Sequence, residues 1–188
     1  MNQNTKSDLT KNAILDAANR ILIEKGAECF TLESVAAEAN VSKGGLLYHF
    51  RSKNELITGM MERSIARVDA ALEEELARSK GDYLTAYIRA SLRTTADPAQ
   101  VSRAIQAAIV RDPKLLNPLR ERFERMQREI EQKAASPELG LLVRLAMDGL
   151  WYSEVYQFAP PDEGQREKLS KLLLDIIKLQ STQRGENR

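Results

Sequence analysis

Apolar residues recur every three or four positions along most of this chain, which is the spacing of one face of an α-helix. No segment shows the alternation of a well-bounded strand. Gly26 follows the first apolar stripe, as a C-terminal cap would. The stripe lies between about Thr10 and Lys25 and contains Ile14, Leu15, Ala18, Ile21 and Leu22. The pattern therefore predicts an all-α protein of about nine helices.

Capping residues, glycines and prolines divide the rest of the chain into pieces of helical length. Ser52-Lys53-Asn54-Glu55 has the pattern of a capping box and predicts a long helix that continues to about Ser79. The last helix is predicted from about Asp162 to Gln180. Other starts are predicted at Gly81-Asp82, Asp97-Pro98, Asp112-Pro113 and Ser136-Pro137.

Two short helices around a tight turn are predicted after Thr31. Thr31 can cap the first, which runs to about Ala39, and Ser42 can cap the second, which runs to about His49. Asn40-Val41 forms the turn, where asparagine tolerates a left-handed backbone. This spacing is typical of a helix-turn-helix, whose second helix enters the major groove of DNA.

The placement of charge agrees with contact to a nucleic acid. The 188 residues carry a formal net charge of only +1, so affinity for DNA must come from where the charges lie. Residues 40–54 contain Lys43, Arg51 and Lys53 and no acidic residue. Such a stretch suits a phosphate backbone, because each neutralised phosphate releases counterions. The alternative is a solvated surface with a chance distribution of charge.

About the first 60 residues also contain a characteristic combination of motifs. They are Ile14-Leu15, Gly26, Thr31, Val35-Ala36, Val41-Ser42-Lys43-Gly44-Gly45-Leu46-Leu47-Tyr48-His49-Phe50, Ser52-Lys53 and Glu55-Leu56. This set closely resembles the DNA-binding domain of TetR-type (tetracycline-repressor family) regulators. The resemblance implies a helix-turn-helix DNA-binding domain over residues 1–55 and a ligand-binding and dimerisation domain over residues 56–188. It further implies a homodimer, a two-fold symmetric DNA operator and, as is usual in the family, repression relieved by a small-molecule effector. Activation in place of repression is the alternative, and the sequence does not decide between them.

The same resemblance implies which residues contact DNA. Thr31 would contact a phosphate while it caps its helix, and Lys43 would donate to guanine acceptors. The two glycines after Lys43 would allow close approach of the backbone, and residues at the end of the second helix would hold the phosphates. The predicted DNA-binding residues are Thr31, Ser42, Lys43, Gly44, Gly45, Leu47, Tyr48, His49 and Lys53.

Alternative roles remain for several side chains near this segment. Leu47 stands where many family members have tyrosine; it can contact a thymine methyl but cannot hydrogen-bond, which leaves more of the specificity to DNA shape. Tyr48 could instead pack against the following helix. Leu46 and Phe50 are assigned to the core, and Cys29 is expected to be a small packing residue.

The last two helices are apolar on more than one face, so they must be covered on more than one side. The segment from Pro137 to Phe158 and the final helix are therefore expected to pair with their copies in a two-fold four-helix interface. A dimer also has a functional reason. Two recognition helices must reach half-sites roughly 34–36 Å apart, or a multiple of that distance.

The effector is expected between the DNA-binding part and the dimer interface. Methionine adapts to irregular ligands, and tyrosine or tryptophan offers a polar atom on an apolar body. Asp148 and Glu154 lie in an apolar helix, and either could pair with a cationic ligand unless it faces solvent. Ordinary core packing is the alternative for each candidate: Met60, Met61, Tyr87, Phe123, Met126, Trp151, Tyr152 and Tyr156.

Several classes of protein are excluded or disfavoured. A single cysteine and a single histidine exclude a disulfide framework and a multi-His or Cys-based metal site. With no catalytic set and no glycine-rich phosphate loop, neither an enzyme nor a cofactor is expected. The polar N-terminus and the absence of a long apolar run predict a cytoplasmic protein without membrane contact. A helical adaptor that binds only protein is disfavoured by the acid-free stretch.

Overall fold

A computed structural model describes residues 3–94 and 112–186, and within them the chain forms α-helices and one 3-10 turn, with no strand. The all-α fold is confirmed, and the predicted number of helices is close to that observed. The helix predicted at Asp97-Pro98 lies outside the described residues. The elements are α1 (Gln3–Glu24), α2 (Leu32–Glu38), α3 (Lys43–His49), α4 (Lys53–Arg78), α5 (Tyr83–Thr94), the 3-10 turn Pro113–Leu116, α6 (Asn117–Lys133), α7 (Pro137–Tyr156) and α8 (Glu163–Glu186).

Local hydrogen bonds explain where these boundaries differ from the predicted ones. α1 begins earlier than Thr10, whose hydroxyl donates to the Lys6 carbonyl at 3.0 Å and so belongs to the helix interior. At α4, the Ser52 hydroxyl accepts from the Glu55 N–H at 3.1 Å, as a capping box requires. The Glu55 carboxylate, however, accepts from the N–H of Arg51 at 2.8 Å, one residue earlier than predicted.

The described backbone falls into two compact units. One contains residues 3–65 and 112–120, and the other contains residues 66–94 and 121–186. Both α4 and α6 contribute residues to each unit. The domain boundary between residues 55 and 56 stays a prediction from the sequence.

The core of the first unit gathers the apolar faces of α1 to α4. The predicted stripe of α1 is buried, and Phe50 closes the core at the end of α3. Gly59 of α4 is required at this contact, because a Cβ there would lie 2.6 Å from Cε1 of Phe50. The other large buried side chains are Phe30, Val35, Leu46, Leu56, Ile57, Met60 and Met61.

The core of the second unit is formed by α5 to α8. Its buried side chains are Tyr83, Leu84, Tyr87, Ile88, Met126, Ile130, Ala134, Leu139, Val143, Met147, Leu150, Leu173 and Ile177. Gly140 lets α7 approach α6 closely, since a Cβ there would lie 2.5 Å from Cγ2 of Ile130. Among the described helices, none is long and apolar enough to cross a lipid bilayer.

Candidate nucleic-acid interface and effector site

The start of α2 is held by a reciprocal pair of hydrogen bonds. The Thr31 hydroxyl accepts from the Ser34 N–H at 3.0 Å, and the Ser34 hydroxyl accepts from the Thr31 N–H at 3.0 Å. Each bond satisfies a backbone donor that the first helical turn cannot. The cap fixes where α2 begins and leaves Thr31 exposed there.

The turn after α2 orients α3. Asn40 adopts the left-handed conformation predicted for it, with φ of 54°. The Val41 N–H donates to the Ala36 carbonyl at 3.0 Å, which ties the turn back to α2. Ser42 then caps α3 by accepting from the Gly45 N–H at 3.0 Å. α3 therefore begins where the sequence predicts.

α3 has one buried face and one exposed face. Leu46 is fully buried, as predicted, and lies in the same core cluster as Val35 of α2. Tyr48 is 79% exposed, so it does not pack against the following helix. His49 lies edge-on to the Tyr48 ring, with centroids 5.1 Å apart. Leu47 is half-buried, so the exposed face of α3 is formed mainly by Lys43, Gly44 and Tyr48.

The first turn of α3 combines a cation with open backbone. Lys43 and Gly44 are exposed, and a Cβ at Gly44 would meet only the Ser42 hydroxyl, at 3.9 Å. Gly45 is tighter, since a Cβ there would lie 3.3 Å from that hydroxyl. This turn can thus come close to another surface, and it carries a positive charge.

Lys53, at the start of α4, is half-buried. Its ammonium lies 5.0 Å from the centroid of the buried Phe30 ring, which is the geometry of a cation–π contact. The ring limits where the lysine stem can lie.

Glu33 is the residue of this surface that the sequence reasoning missed. Its carboxylate lies 2.6 Å from the Lys43 ammonium, and the hydrogen bond from Lys43 holds the pKa of Glu33 below its usual value. Residues 40–54 contain no acidic residue, but folding places the carboxylate of Glu33 beside Lys43, the first cation of that stretch. Because the pair joins two helices, no spacing within one helix could have indicated it.

Cys29 corrects an expectation. The side chain is exposed, whereas the sequence predicts a packing residue. It lies in the loop that follows Gly26, and the next residue, Phe30, takes the buried position.

The candidate effector residues lie in different parts of the molecule. Met60 and Met61 belong to the core of the first unit. In the second unit, Tyr87 and Met126 are buried. The remaining candidates are half-buried or exposed: Phe123, Trp151, Tyr152 and Tyr156.

The aromatic residues at the end of α7 contact one another in series. The Trp151 and Tyr152 rings meet edge-on at 5.0 Å, and Tyr152 stacks on Tyr156 at 6.1 Å. Tyr156 in turn stacks on Phe158 at 5.7 Å. These contacts fix the orientation of neighbouring aromatic faces along one side of the helix end.

A polar cluster accompanies the apolar core of the second unit. The Arg144 guanidinium donates to Asp148 at 2.8 Å, and the Tyr87 hydroxyl lies close enough to lower the pKa of that carboxyl. Burial nevertheless raises the pKa of Asp148, because desolvation outweighs these contacts. Arg122, which is largely buried, donates to Asp69 at 2.9 Å. Tyr87 and Asp148 are among the residues that the sequence suggests for an effector site, whereas neither arginine is.

Glu154, the other acidic residue of α7 considered as a partner for a cationic ligand, has a different environment. It is buried, and its carboxylate accepts from the Arg166 guanidinium of α8 at 2.9 Å. This ion pair joins α7 to α8. Glu154 therefore already has a cationic partner from its own chain.

Two family models match the chain. The one described as "Bacterial regulatory proteins, tetR family" matches residues 14–60, and the one described as "Tetracyclin repressor-like, C-terminal domain" matches residues 81–178. The second match alone spans more than half of the 188 residues. The chain belongs to the TetR family. It is thus a helix-turn-helix regulator, and the resemblance of its first 60 residues is confirmed.

Curated TetR-type relatives match over part of their own length. The regulator AcrR of Shigella flexneri is 30% identical over 76 residues, which are 40% of this chain and 35% of AcrR. The repressor NemR of Escherichia coli K12 is 30% identical over 83 residues, 44% of this chain and 41% of NemR. The activator FasR of Mycolicibacterium smegmatis is 30% identical over 97 residues, 52% of this chain and 37% of FasR. The matches thus cover well under two thirds of each relative.

Solved structures extend the likeness to nearly the whole chain. The multidrug binding protein EbrR, complexed with imidazole, superposes with a TM-score of 0.62 at 25% identity and covers 89% of this chain and 94% of EbrR. A TetR-family member from Streptomyces coelicolor A3 gives a TM-score of 0.68 at 23% identity, over 89% of this chain and 98% of that protein. The second likeness supports the fold alone.

In this TetR-family chain, α7 and α8 expose apolar side chains on their outer faces. Leu145 is 53% exposed, and Gly149 follows one turn later with no atom within 4 Å of where its Cβ would be. A glycine inside a helix lowers its stability, and no side chain among the described residues requires one here. The other exposed apolar side chains of these two helices are Leu141, Leu142, Tyr152, Leu172 and Leu179.

Proposed function

We propose that this TetR-family regulator is a homodimeric repressor that binds a two-fold symmetric operator through α3 and is released from it by a small-molecule inducer. One observation carries the DNA-binding part of the proposal. α3 buries Leu46 completely and leaves Lys43, Gly44 and Tyr48 exposed, so a short capped helix is presented outward with a cation in its first turn. This is the presentation that a major groove requires.

The proposed contacts divide into those that specify sequence and those that set position. Lys43 would reach guanine acceptors, and Gly44 would let the backbone approach the bases. Tyr48, His49 and Lys53 would contact phosphates and so fix the register of the helix. In a two-fold symmetric complex, the same residues of the second protomer would make the same contacts to the other half-site.

Pairing through α7 and α8 supports this arrangement. A row of leucines half-exposed to water is unfavourable for a lone chain, and a second copy would cover it. Gly149 would permit the two α7 helices to approach closely. The proposed dimer then presents two α3 recognition helices, one for each half-site of a two-fold symmetric operator.

The inducer is proposed to bind in the second unit. Its helices combine aromatic faces with a desolvated carboxylate, Asp148, and the hydroxyl of Tyr87. Among these groups, the Tyr152 face suits a ligand with a cationic group, and the Tyr87 hydroxyl suits a ligand with a hydrogen-bonding group. Asp148 is already paired with Arg144 and would help to orient that part of the site. EbrR, a multidrug binding protein of related fold, supports the binding of a small molecule by this chain. The proposed lining residues outside the first unit are Tyr87, Phe123, Met126, Trp151, Tyr152 and Tyr156.

α4 is proposed to couple the two sites. Three residues separate it from α3, and it continues into the second unit as one helix from Lys53 to Arg78. A ligand weakens DNA binding only if it binds the DNA-incompetent arrangement more tightly. Crystals with and without inducer should therefore differ in the spacing of the two α3 helices, and identical spacing would contradict this coupling.

The experiment is selection of bound duplexes from a random pool, followed by gel shifts on the selected site. We expect a two-fold symmetric sequence and loss of the complex with the double variant Lys43→Ala/Tyr48→Ala. Arg89→Ala is the matched control, because it removes one exposed cation from the second unit. Failure of the wild-type protein to select any duplex overturns the proposal. A promoter fusion carrying the selected site decides between repression and activation, and metabolite screening for release identifies the inducer.

A further inference from the structure

Glu33 lies where a carboxylate is least expected on a DNA-binding surface. It belongs to the first turn of α2, and its carboxylate contacts the Lys43 ammonium at 2.6 Å across the helix-turn-helix. Both side chains are well exposed, Lys43 by 58% and Glu33 by 63%. Neither side chain fills the core, so both remain accessible to a partner from outside the chain.

An exposed ion pair of this kind is weak and exchanges readily with outside partners. The lysine ammonium has three N–H donors, of which Glu33 needs only one. Lys43 can therefore keep its contact to Glu33 and still donate to a further acceptor. Which acceptor on DNA Lys43 prefers then depends on whether that acceptor is repelled by the Glu33 carboxylate.

The two kinds of acceptor that DNA offers differ in charge. A phosphate is anionic, so it would be repelled by Glu33 across the shared ammonium. The O6 and N7 atoms of guanine are neutral acceptors, and they meet no such repulsion. The Glu33 carboxylate therefore disfavours contact of Lys43 with a phosphate, which carries no sequence information. It does not disfavour contact of Lys43 with guanine, which does carry sequence information.

We infer that Glu33 is a specificity-determining residue, which directs Lys43 away from phosphates and toward base acceptors in the major groove. This inference rests on the proposed DNA-binding function of α3. It adds a residue of α2 to the set that decides which sequence is bound. It also accounts for a negative charge on a surface whose other charged residues are mainly basic.

The test is the salt dependence of binding to a duplex without the selected site. With Glu33→Gln, Lys43 becomes free to neutralise one phosphate, so the slope of log K against log salt should steepen by about 0.9. Between 50 and 200 mM salt this corresponds to about a threefold larger loss of nonspecific affinity. Affinity for the selected site should change less, so the ratio of specific to nonspecific affinity should fall.

Two comparisons keep the result interpretable. Glu62→Gln removes the same charge from an exposed position of α4 and should leave the slope at the wild-type value. In a Lys43→Ala background, Glu33→Gln should no longer steepen the slope, because the cation on which it acts is gone. Thermal melting by circular dichroism confirms that each variant is folded.

An unchanged slope in Glu33→Gln, or the same steepening in the Lys43→Ala background, would overturn the inference while leaving the proposed function in place. A wild-type protein that binds no duplex would instead overturn the proposed function itself. The two failures are therefore distinguishable within one set of titrations.

Discussion

Leu145 offers a direct test of pairing through α7. Its side chain is 53% exposed on the outer face of that helix, beside the other exposed leucines. Truncation to alanine keeps a good helix former at the position, so α7 itself should remain intact. Substitution by glutamate places a charge on the same face.

The size of the effect follows from how much of Leu145 is left for an interface to bury. Full burial of a leucine side chain contributes about 1.5–3 kcal/mol. Roughly half of that area is still available in the single chain, which leaves about 1 kcal/mol per protomer. Two-fold symmetry repeats the contact, so Leu145→Ala should weaken the dimer by about 2 kcal/mol, or about 30-fold in Kd. Leu145→Glu should separate the protomers further, since two carboxylates would lose their hydration at the interface.

Sedimentation velocity over a range of protein concentrations measures the dimer Kd directly. The matched control is Leu9→Glu, which changes a leucine of comparable exposure in the first unit and should leave the Kd unaltered. A folded Leu145→Glu protein whose dimer Kd equals that of the wild-type protein would refute pairing through this face. Weaker binding to the full operator, with half-site binding preserved, should accompany loss of the dimer.

Further predictions concern single contacts described above. Lys53→Ala should weaken binding to all duplexes alike and make the salt slope shallower by about one unit, as titrations in graded salt would measure. Lys43→Ala should change sequence preference, costing about 1–3 kcal/mol at the contacted base pair, and unaltered ranking in a repeated selection would count against that contact. Gly140→Ala should destabilise the second unit by about 1–3 kcal/mol, because its Cβ would overpack the contact with α6, as urea denaturation would show. Arg166→Met should cost about 3 kcal/mol by leaving Glu154 buried without its cation, and adding Glu154→Leu should restore most of the loss.

What the sequence predicts well in this chain is decided by neighbouring residues. The caps at Thr31 and Ser42 and the left-handed turn at Asn40 depend on contacts within a few positions, and each is found in the structure. The burial of Leu46 follows from helical periodicity in the same way. Local hydrogen bonding and spacing are sufficient to position a helix-turn-helix.

What the sequence does not predict depends on residues that are distant along the chain. The contact of Glu33 with Lys43 and that of Glu154 with Arg166 each join two helices, so no repeat within one helix reveals them. Arg122 is distant from Asp148 along the chain and lies on α6, so the same reason applies to it. Arg144 differs, because it precedes Asp148 by four residues in α7, a spacing that the sequence does show. The exposure of Cys29 depends on which of two adjacent loop residues reaches the core, and Phe30 does so.

The two adjacent glycines of α3 differ in how much change they can accept. A side chain at Gly44 would extend into open space, with only the Ser42 hydroxyl at 3.9 Å, whereas one at Gly45 would crowd that hydroxyl at 3.3 Å and disturb the cap. New side chains could thus be acquired at Gly44 without any rearrangement of the scaffold. Divergence of this regulator toward other target sequences could then begin at that single position, while Gly45 would remain under constraint to keep the helix start intact.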